Sequence, residues 1–292
     1  ILPHRFITLF YENDSLAPIT QLPYWRFWGN RSIAKGDIAI INMPVNHLKP
    51  VDRRTRVPRR VVGLPGSQIK INDATVFVNG AKHAGTDNLQ HNYIVESRRN
   101  IINESFLADH GISEGGRING TNNYIFSLTP NMAHKIRNAD GIRRITRYQA
   151  IPDSTLHSPF GSNAKNWSMD DFGPLAVPAR GFTIDLTPET LDIYLYHIIH
   201  HERRRVEIIN DSVLIDGEFA NQYEFRMNYY FVMGDNWHNT SDSRNWGLVP
   251  ENHIIGRGTG VFISFDKSAS IFNHIRWHRT FASIDQTAVS DK

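Results

Sequence analysis

The densest set of reactive side chains lies between Met233 and Gly247, in the run Gly234-Asp235-Asn236-Trp237-His238-Asn239-Thr240-Ser241-Asp242-Ser243-Arg244. It gathers carboxylates, a guanidinium and hydroxyls, and a plain surface loop has no need of Asp235, Asp242 and Arg244 so close together. The aromatic run Tyr229-Tyr230-Phe231 just ahead reads as a strand, which puts this polar, turn-rich segment at a sheet edge, where loops commonly carry function. A second cluster is His197, His200 and His201, in which positions 197 and 201 share one helical face. A metal site there would need a third ligand and outer-shell partners. The adjoining Glu202-Arg203-Arg204-Arg205 reads instead as a solvated helix end whose cations suit the dipole. The basic run Arg53, Arg54, Arg56, Arg59 and Arg60 lacks interleaved aromatics, so it fits a loop facing solvent or lipid headgroups rather than nucleic acid. No Ser-His-Asp or metal set can be assembled from these motifs, and no cofactor is implied.

The elements that must position these residues are mostly short strands. Ile38-Ala39-Ile40-Ile41-Asn42-Met43 follows the turn Lys35-Gly36-Asp37 as a buried strand, and Arg60-Val61-Val62-Gly63 runs into the turn Leu64-Pro65-Gly66. Two segments echo each other, residues 69–80 and 206–217: a β-branched run, Asn-Asp, a second run, then Asn79-Gly80 or Asp216-Gly217. Both predict β-hairpins. Thr129-Pro130 and Thr187-Pro188 each combine an N-cap with proline at the first helical position, and the second predicts a helix carrying Leu191, Ile193, Tyr194, Ile198 and Ile199. The segment from Asn166 to Leu175 reads as an aromatic-rich loop returning to the main body.

Composition sets wide bounds. The chain has 292 residues, 40% of them hydrophobic, enough to bury a core. Its net charge of +3 is too balanced to argue for nucleic acid, although a mildly basic surface suits anionic lipid. With no cysteine, disulfide and thiolate chemistry are excluded. No run approaches the roughly 18–20 apolar residues of a membrane span, and no signal peptide is visible. Trp25, Phe27 and Trp28 suit either core packing or an interfacial membrane contact.

The run from Gly234 to Gly247 resembles the C-terminal signature of bacterial type I signal peptidases, of the form GDN-x-x-NS-x-DSR-x-x-G. Arg59-Arg60-Val61-Val62-Gly63-Leu64-Pro65-Gly66 resembles the KR-x-V-G-L-P-G-D segment of that family, and Lys35-Gly36-Asp37-Ile38 its RGD-hydrophobic strand, all in family order. The long middle region is similar to the enlarged cap of the form found in Bacteroidetes. The resemblance implies a mainly β fold: an antiparallel β signal-peptidase-type catalytic core with an inserted α+β cap. It divides the chain into residues 1–81, the N-terminal part of the core; 82–182, the cap; 183–277, a helix and the rest of the core; and 278–292, a polar tail.

It further implies an endopeptidase at the outer, periplasmic face of the cytoplasmic membrane. Its partners would be the signal-peptide regions of exported preproteins, with no nucleic acid, and the membrane anchor would precede Ile1. In that mechanism a serine is activated by a neutral lysine, whose pKa burial lowers, and a donor stabilises the oxyanion. The sequence departs where this chemistry is most exacting. The lysine position is Arg59, which has no lone pair to accept a proton. Ser15-Leu16-Ala17-Pro18 matches the nucleophile motif but is followed by Gln21-Leu22-Pro23-Tyr24, which resembles a later linker. The expected nucleophile therefore lies upstream of Ile1, with Ser15 the alternative within the chain. Thr240 stands for a serine that bonds the lysine, Trp237 for an arginine, and Ser67 for an aspartate. Asp242 and Arg244 are implied as electrostatic support and Asp235 as partner of Arg60. An ion-pair network that only holds loops together is the alternative reading. Two functions follow: a Ser/Lys-type signal peptidase, or a catalytically inactive paralogue that binds preproteins by strand addition.

Overall fold

The computed structural model describes residues 32–45, 49–83, 89–98, 102–150, 160, 167–210, 212–260 and 283. Its strands pair antiparallel throughout the named ladders, giving a mainly β fold with short helices, as expected. Arg56–Gly63 is the central strand of a five-stranded sheet, flanked by Ile38–Asn42 on one side and Tyr229–Met233 on the other. Ile254–Arg257 and Val249–Pro250 complete its two edges. This order sets Met233 opposite Arg60, so the chain leaves its strand and enters the polar segment directly beside Arg59 and Arg60.

The two hairpins form, with Ile69 opposite Val78 and Val206 opposite Ile215; in the first, Asn72 pairs with Thr75, so the chain turns at Asp73 and Ala74 rather than at Asn72-Asp73. Asn79 (φ 53°) with Gly80 (φ 81°) and Asp216 (φ 54°) with Gly217 (φ 90°) adopt the positive φ that a two-residue hairpin turn requires. Alternation is clear in Gln68–Asn72, where Ile69 and Ile71 are buried and their neighbours exposed. The helix Pro188–His200 begins at Thr187, whose side chain accepts from Thr190 N–H in a reciprocal cap, and it buries Leu191, Tyr194, His197 and Ile198. Thr129 caps Pro130–Arg137 by accepting from Met132 N–H, without the return bond.

One element differs from the sequence reading. Phe172–Ala176, expected as loop, is a strand that pairs with Gln68–Asn72 and buries Phe172 and Leu175. Gly173-Pro174 interrupts the pairing with a bulge between Phe172 and Leu175. A glycine and a proline inside a strand hide its alternation, and an edge position at a bulge is where proline is tolerated.

Residues 91–147 build their own four-stranded sheet, in the order Gly115–Arg117, Asn123–Leu128, His91–Ser97, Ile142–Arg147. Tyr93, Val95, Tyr124, Phe126, Leu128, Ala133 and Ile136 form its separate hydrophobic cluster. The main cluster lies elsewhere, around Ile69, Ile71, Phe172, Leu175, Phe225, Tyr229, Phe231 and Trp237. Phe231 is fully buried and packs its ring 5.5 Å from Phe172, joining the five-stranded sheet to the strand the sequence concealed. Truncating Phe231 to Ala is expected to cost about 3–5 kcal/mol of unfolding free energy, read from urea melts of the native and variant chains.

Candidate functional site

The site is built where the segment after Met233 turns back over the central strand. Arg59 and Arg60 are consecutive there, and their side chains take different partners. Arg60 grips the Asp235 carboxylate with two hydrogen bonds, Nε to Oδ1 at 2.8 Å and a terminal nitrogen to Oδ2 at 2.7 Å. That hydrogen bond raises the Arg60 pKa against the opposing effect of burial. Arg59 reaches the same segment farther on: Nε and one terminal nitrogen donate to the Ser241 carbonyl at 3.0 and 2.8 Å, and the other terminal nitrogen donates to the Pro58 carbonyl at 2.7 Å. Burial lowers its pKa and the nearby Asp242 charge opposes that shift. It stays a cation with no acceptor atom.

Asp242 and Arg244 are both buried in the body of the protein. Arg244 donates to both carboxylate oxygens, from Nε at 2.9 Å and from a terminal nitrogen at 2.7 Å. Asp242 also accepts from the backbone N–H of Gly234 and of Arg244, each at 3.1 Å, and caps the short helix Ser243–Trp246. The rest of the guanidinium donates to the carbonyls of Trp237 and Met169 and lies 4.5 Å from the centre of the Trp237 ring. Thr240 packs over Gly234, where any Cβ would collide with the Thr240 side chain. The structure thus brings Arg59, Thr240, Asp242 and Arg244 together. Ser15 lies outside the described residues, as do Trp25, Phe27 and Trp28. Lys35 sits in the turn before Ile38–Asn42, and Lys70 is exposed on Gln68–Asn72.

Trp237 and Ser67 have local roles. The Ser67 hydroxyl accepts from Leu64 N–H at 3.1 Å and closes the Leu-Pro-Gly turn. Trp237 is fully buried and its indole N–H donates to Asp170 Oδ1 at 2.7 Å. Asp170, which sequence reasoning missed, also takes His238 Nε2 at 3.1 and 3.2 Å and Ala150 N–H at 2.6 Å. Burial raises its pKa, but the hydrogen bonds from His238, Ala150 and Trp237 outweigh this and hold the carboxyl below its ordinary value. His238 Nδ1 lies 3.1 Å from Asn92 N–H, which leaves Nε2 to face Asp170.

Through these groups the signature segment is also tied to the sheet of residues 91–147. Gln90 and Asn236 form a parallel bridge, with Gln90 N–H to the Asp235 carbonyl at 2.9 Å and Trp237 N–H to the Gln90 carbonyl at 2.7 Å. Asn236 further bonds Ser127 and Glu114, and Asn239 bonds Asn92 and Glu114. Neither end of this connection stands out in sequence, because polar residues without a shared period give no pairing signal. The one pointer in the sequence is Trp237, read there as standing for an arginine. The histidines of the second cluster take structural places: His197 is fully buried and its Nε2 accepts from Leu248 N–H at 2.9 Å, while His201 packs 5.4 Å from the His253 ring.

With this geometry in view, the comparisons with known proteins are specific. The model of the family described as signal peptidase, peptidase S26, matches residues 9–154 and 200–263, more than half of the chain. The protein belongs to this family. Among curated relatives, it is 52% identical over 40 residues to signal peptidase I of Buchnera aphidicola subsp. Schizaphis graminum, covering 14% of this chain and 13% of that one. It is 43% identical over 56 residues to signal peptidase I of Haemophilus influenzae, covering 19% and 16%. A probable thylakoidal processing peptidase of Arabidopsis thaliana matches at 29% over 96 residues, covering 28% and 26%. These alignments span only a small part of each relative's length. Among the described residues, no helix is long and apolar enough to cross a membrane.

Two predictions follow from the buried charges. Asp242→Ala leaves the Arg244 guanidinium buried without its carboxylate and is expected to cost about 3–5 kcal/mol in urea unfolding. The second concerns acid. His91 is buried with its ring 5.1 Å from Trp237 and 5.9 Å from His238. Burial, then the neighbouring His238, Arg147 and Arg244, outweigh Asp170 and lower its pKa to about 4. Burial likewise lowers His197 to about 3. The unfolded chain, with histidines near 6.5, takes up these protons first, so stability is full above about pH 6.5 and is lost as pH falls toward 4. His91→Phe is expected to lose less unfolding free energy than the native chain between about pH 7 and pH 5. An equal loss would assign the acid sensitivity to other groups.

Proposed function

We propose that this chain handles the signal-peptide region of exported preproteins as a signal peptidase I-like protein at the periplasmic face of the cytoplasmic membrane. The observation that carries this reading is the meeting of the two separated family motifs: Arg60 with Asp235 and Arg59 with the Ser241 carbonyl, above the buried Asp242–Arg244 pair. Thr240, packed over Gly234 in this scaffold, is the hydroxyl that this reading sets beside the general-base position. Under the endopeptidase form of this reading, a serine attacks the peptide carbonyl after the signal peptide and a neutral amine accepts the serine proton.

Arg59 favours the second form, a paralogue that recognises preproteins without cleaving them by a Ser/Lys mechanism. Its guanidinium stays protonated and its three hydrogen bonds are all donations to backbone carbonyls, so it takes no proton from a hydroxyl. Asp242 does not substitute, since both of its oxygens already accept hydrogen bonds from Arg244.

The test is cleavage of a preprotein by the full-length protein and by its Arg59→Lys variant. Because general-base catalysis contributes about 10²- to 10⁴-fold, the native protein is expected to cleave at least about 100-fold more slowly than the lysine variant. Native cleavage as fast as that of the variant would return the protein to the endopeptidase form.

A further inference from the structure

Three guanidiniums meet the signature segment, and two of them hold carboxylates. Arg60 has Asp235 and Arg244 has Asp242, each gripped through two nitrogens. Arg59, half-buried between them, has only carbonyl oxygens among the described residues. An arginine carries five N–H donors, one on Nε and two on each terminal nitrogen. Arg59 uses Nε and one N–H of each terminal nitrogen, and among the described residues no acceptor meets the second N–H of either terminal nitrogen. The two terminal nitrogens of a guanidinium can together face both oxygens of a carboxylate. Asp242 is close enough to act on Arg59 through its field, but four N–H groups already occupy its oxygens and the Arg244 charge balances its own. It therefore neither supplies the missing partner nor presents an unbalanced charge that would repel another anion.

We propose that Arg59 is a carboxylate seat, and that the site binds peptides through a free C-terminal α-carboxylate, the group that a cut signal peptide presents. This rests on the reading that the site receives the signal-peptide region. A neutral base at position 59 would favour an uncut peptide bond, whereas a fixed cation favours the anionic end of a finished product. Arg59 is held by Ser241 and Pro58 before any ligand arrives, so little ordering of its side chain remains to be done on binding. The ligand carboxylate would give this cation the partner that its two neighbours already have.

The experiment uses fluorescein-labelled peptides with one small-residue sequence in three forms: C-terminal acid, C-terminal amide, and extended by several residues past the same point. Binding to the native full-length protein is read by fluorescence anisotropy. The acid is expected to bind at least about tenfold more tightly than the amide, because hydrogen bonds to a charged group are stronger than to a neutral one, and the preference is expected to weaken with added salt. In Arg59→Gln the acid-to-amide ratio is expected to fall to about one, with Arg59→Lys between, as a point charge without the fork. The acid–amide comparison within the native protein needs no variant to fold. Equal binding of acid and amide, or a preference that survives Arg59→Gln, overturns the carboxylate seat. If the extended peptide binds while acid and amide are equal, peptide recognition stands and the seat alone fails. If no form binds, both are overturned.

Discussion

The buried ion pair of Asp242 and Arg244 is the constraint around which the rest of the site is arranged. Both side chains are almost fully removed from water, which is costly for either ion alone and tolerable only when geometry and hydrogen bonding are nearly complete. That requirement is met by recruiting three pieces of chain. Asp242 takes the Gly234 N–H at the start of the polar segment and caps Ser243–Trp246 at its end. Arg244 takes carbonyls from Trp237 in the middle of that segment and from Met169 in the strand-forming stretch beyond the 91–147 sheet. A segment rich in turn formers would otherwise have many conformations. Here its two ends and its middle converge on a single pair of charges, which fixes where Thr240 and the Ser241 carbonyl sit.

This fixed segment is then held from two sides. The central strand grips it through Arg59 and Arg60, and the 91–147 sheet reaches it through the Gln90–Asn236 bridge, Asn92 and Glu114. Between these contacts lies Asp170, with the Trp237 indole and the His238 imidazole as its donors. The 91–147 sheet has a hydrophobic cluster of its own, so its mutual alignment with the core depends on polar contacts that also shape the site. A change in that sheet is thereby mechanically connected to the segment carrying Thr240.

What could be read in the sequence was what is local or strongly periodic. The hairpins at 69–80 and 206–217 announce themselves by β-branched runs and by Asn79-Gly80 and Asp216-Gly217, whose backbone needs are chemical properties of those residues. The helix at Pro188–His200 is legible from Thr187-Pro188 for the same reason. Phe172–Ala176 was not, because Gly173-Pro174 sits within the strand and a bulge removes the alternation. The meeting of Arg59 with the polar segment, 182 residues on, was visible only through resemblance of both stretches to one family. The His238–Asp170 contact had no such aid: the two residues are 68 apart, Asp170 belongs to no motif, and His238 fills an unspecified position of its own. The histidines at 197 and 201 were noticed for chemistry, yet His197 serves packing and a single backbone N–H.

Arginine at position 59 changes the character of the site without loosening it. A lysine ammonium is a compact charge that burial can neutralise, and the family mechanism depends on that freedom. A guanidinium gives up the freedom but is planar and forked, and Arg59 uses two of its donors on a single oxygen, the Ser241 carbonyl. The same side chain therefore locks the signature segment to the central strand more rigidly than one ammonium would. The buried pair beneath does not depend on the residue at 59, because its hydrogen bonds are complete without it. Asp235, Asp242 and Arg244 thus keep well-formed interactions whichever residue stands at 59.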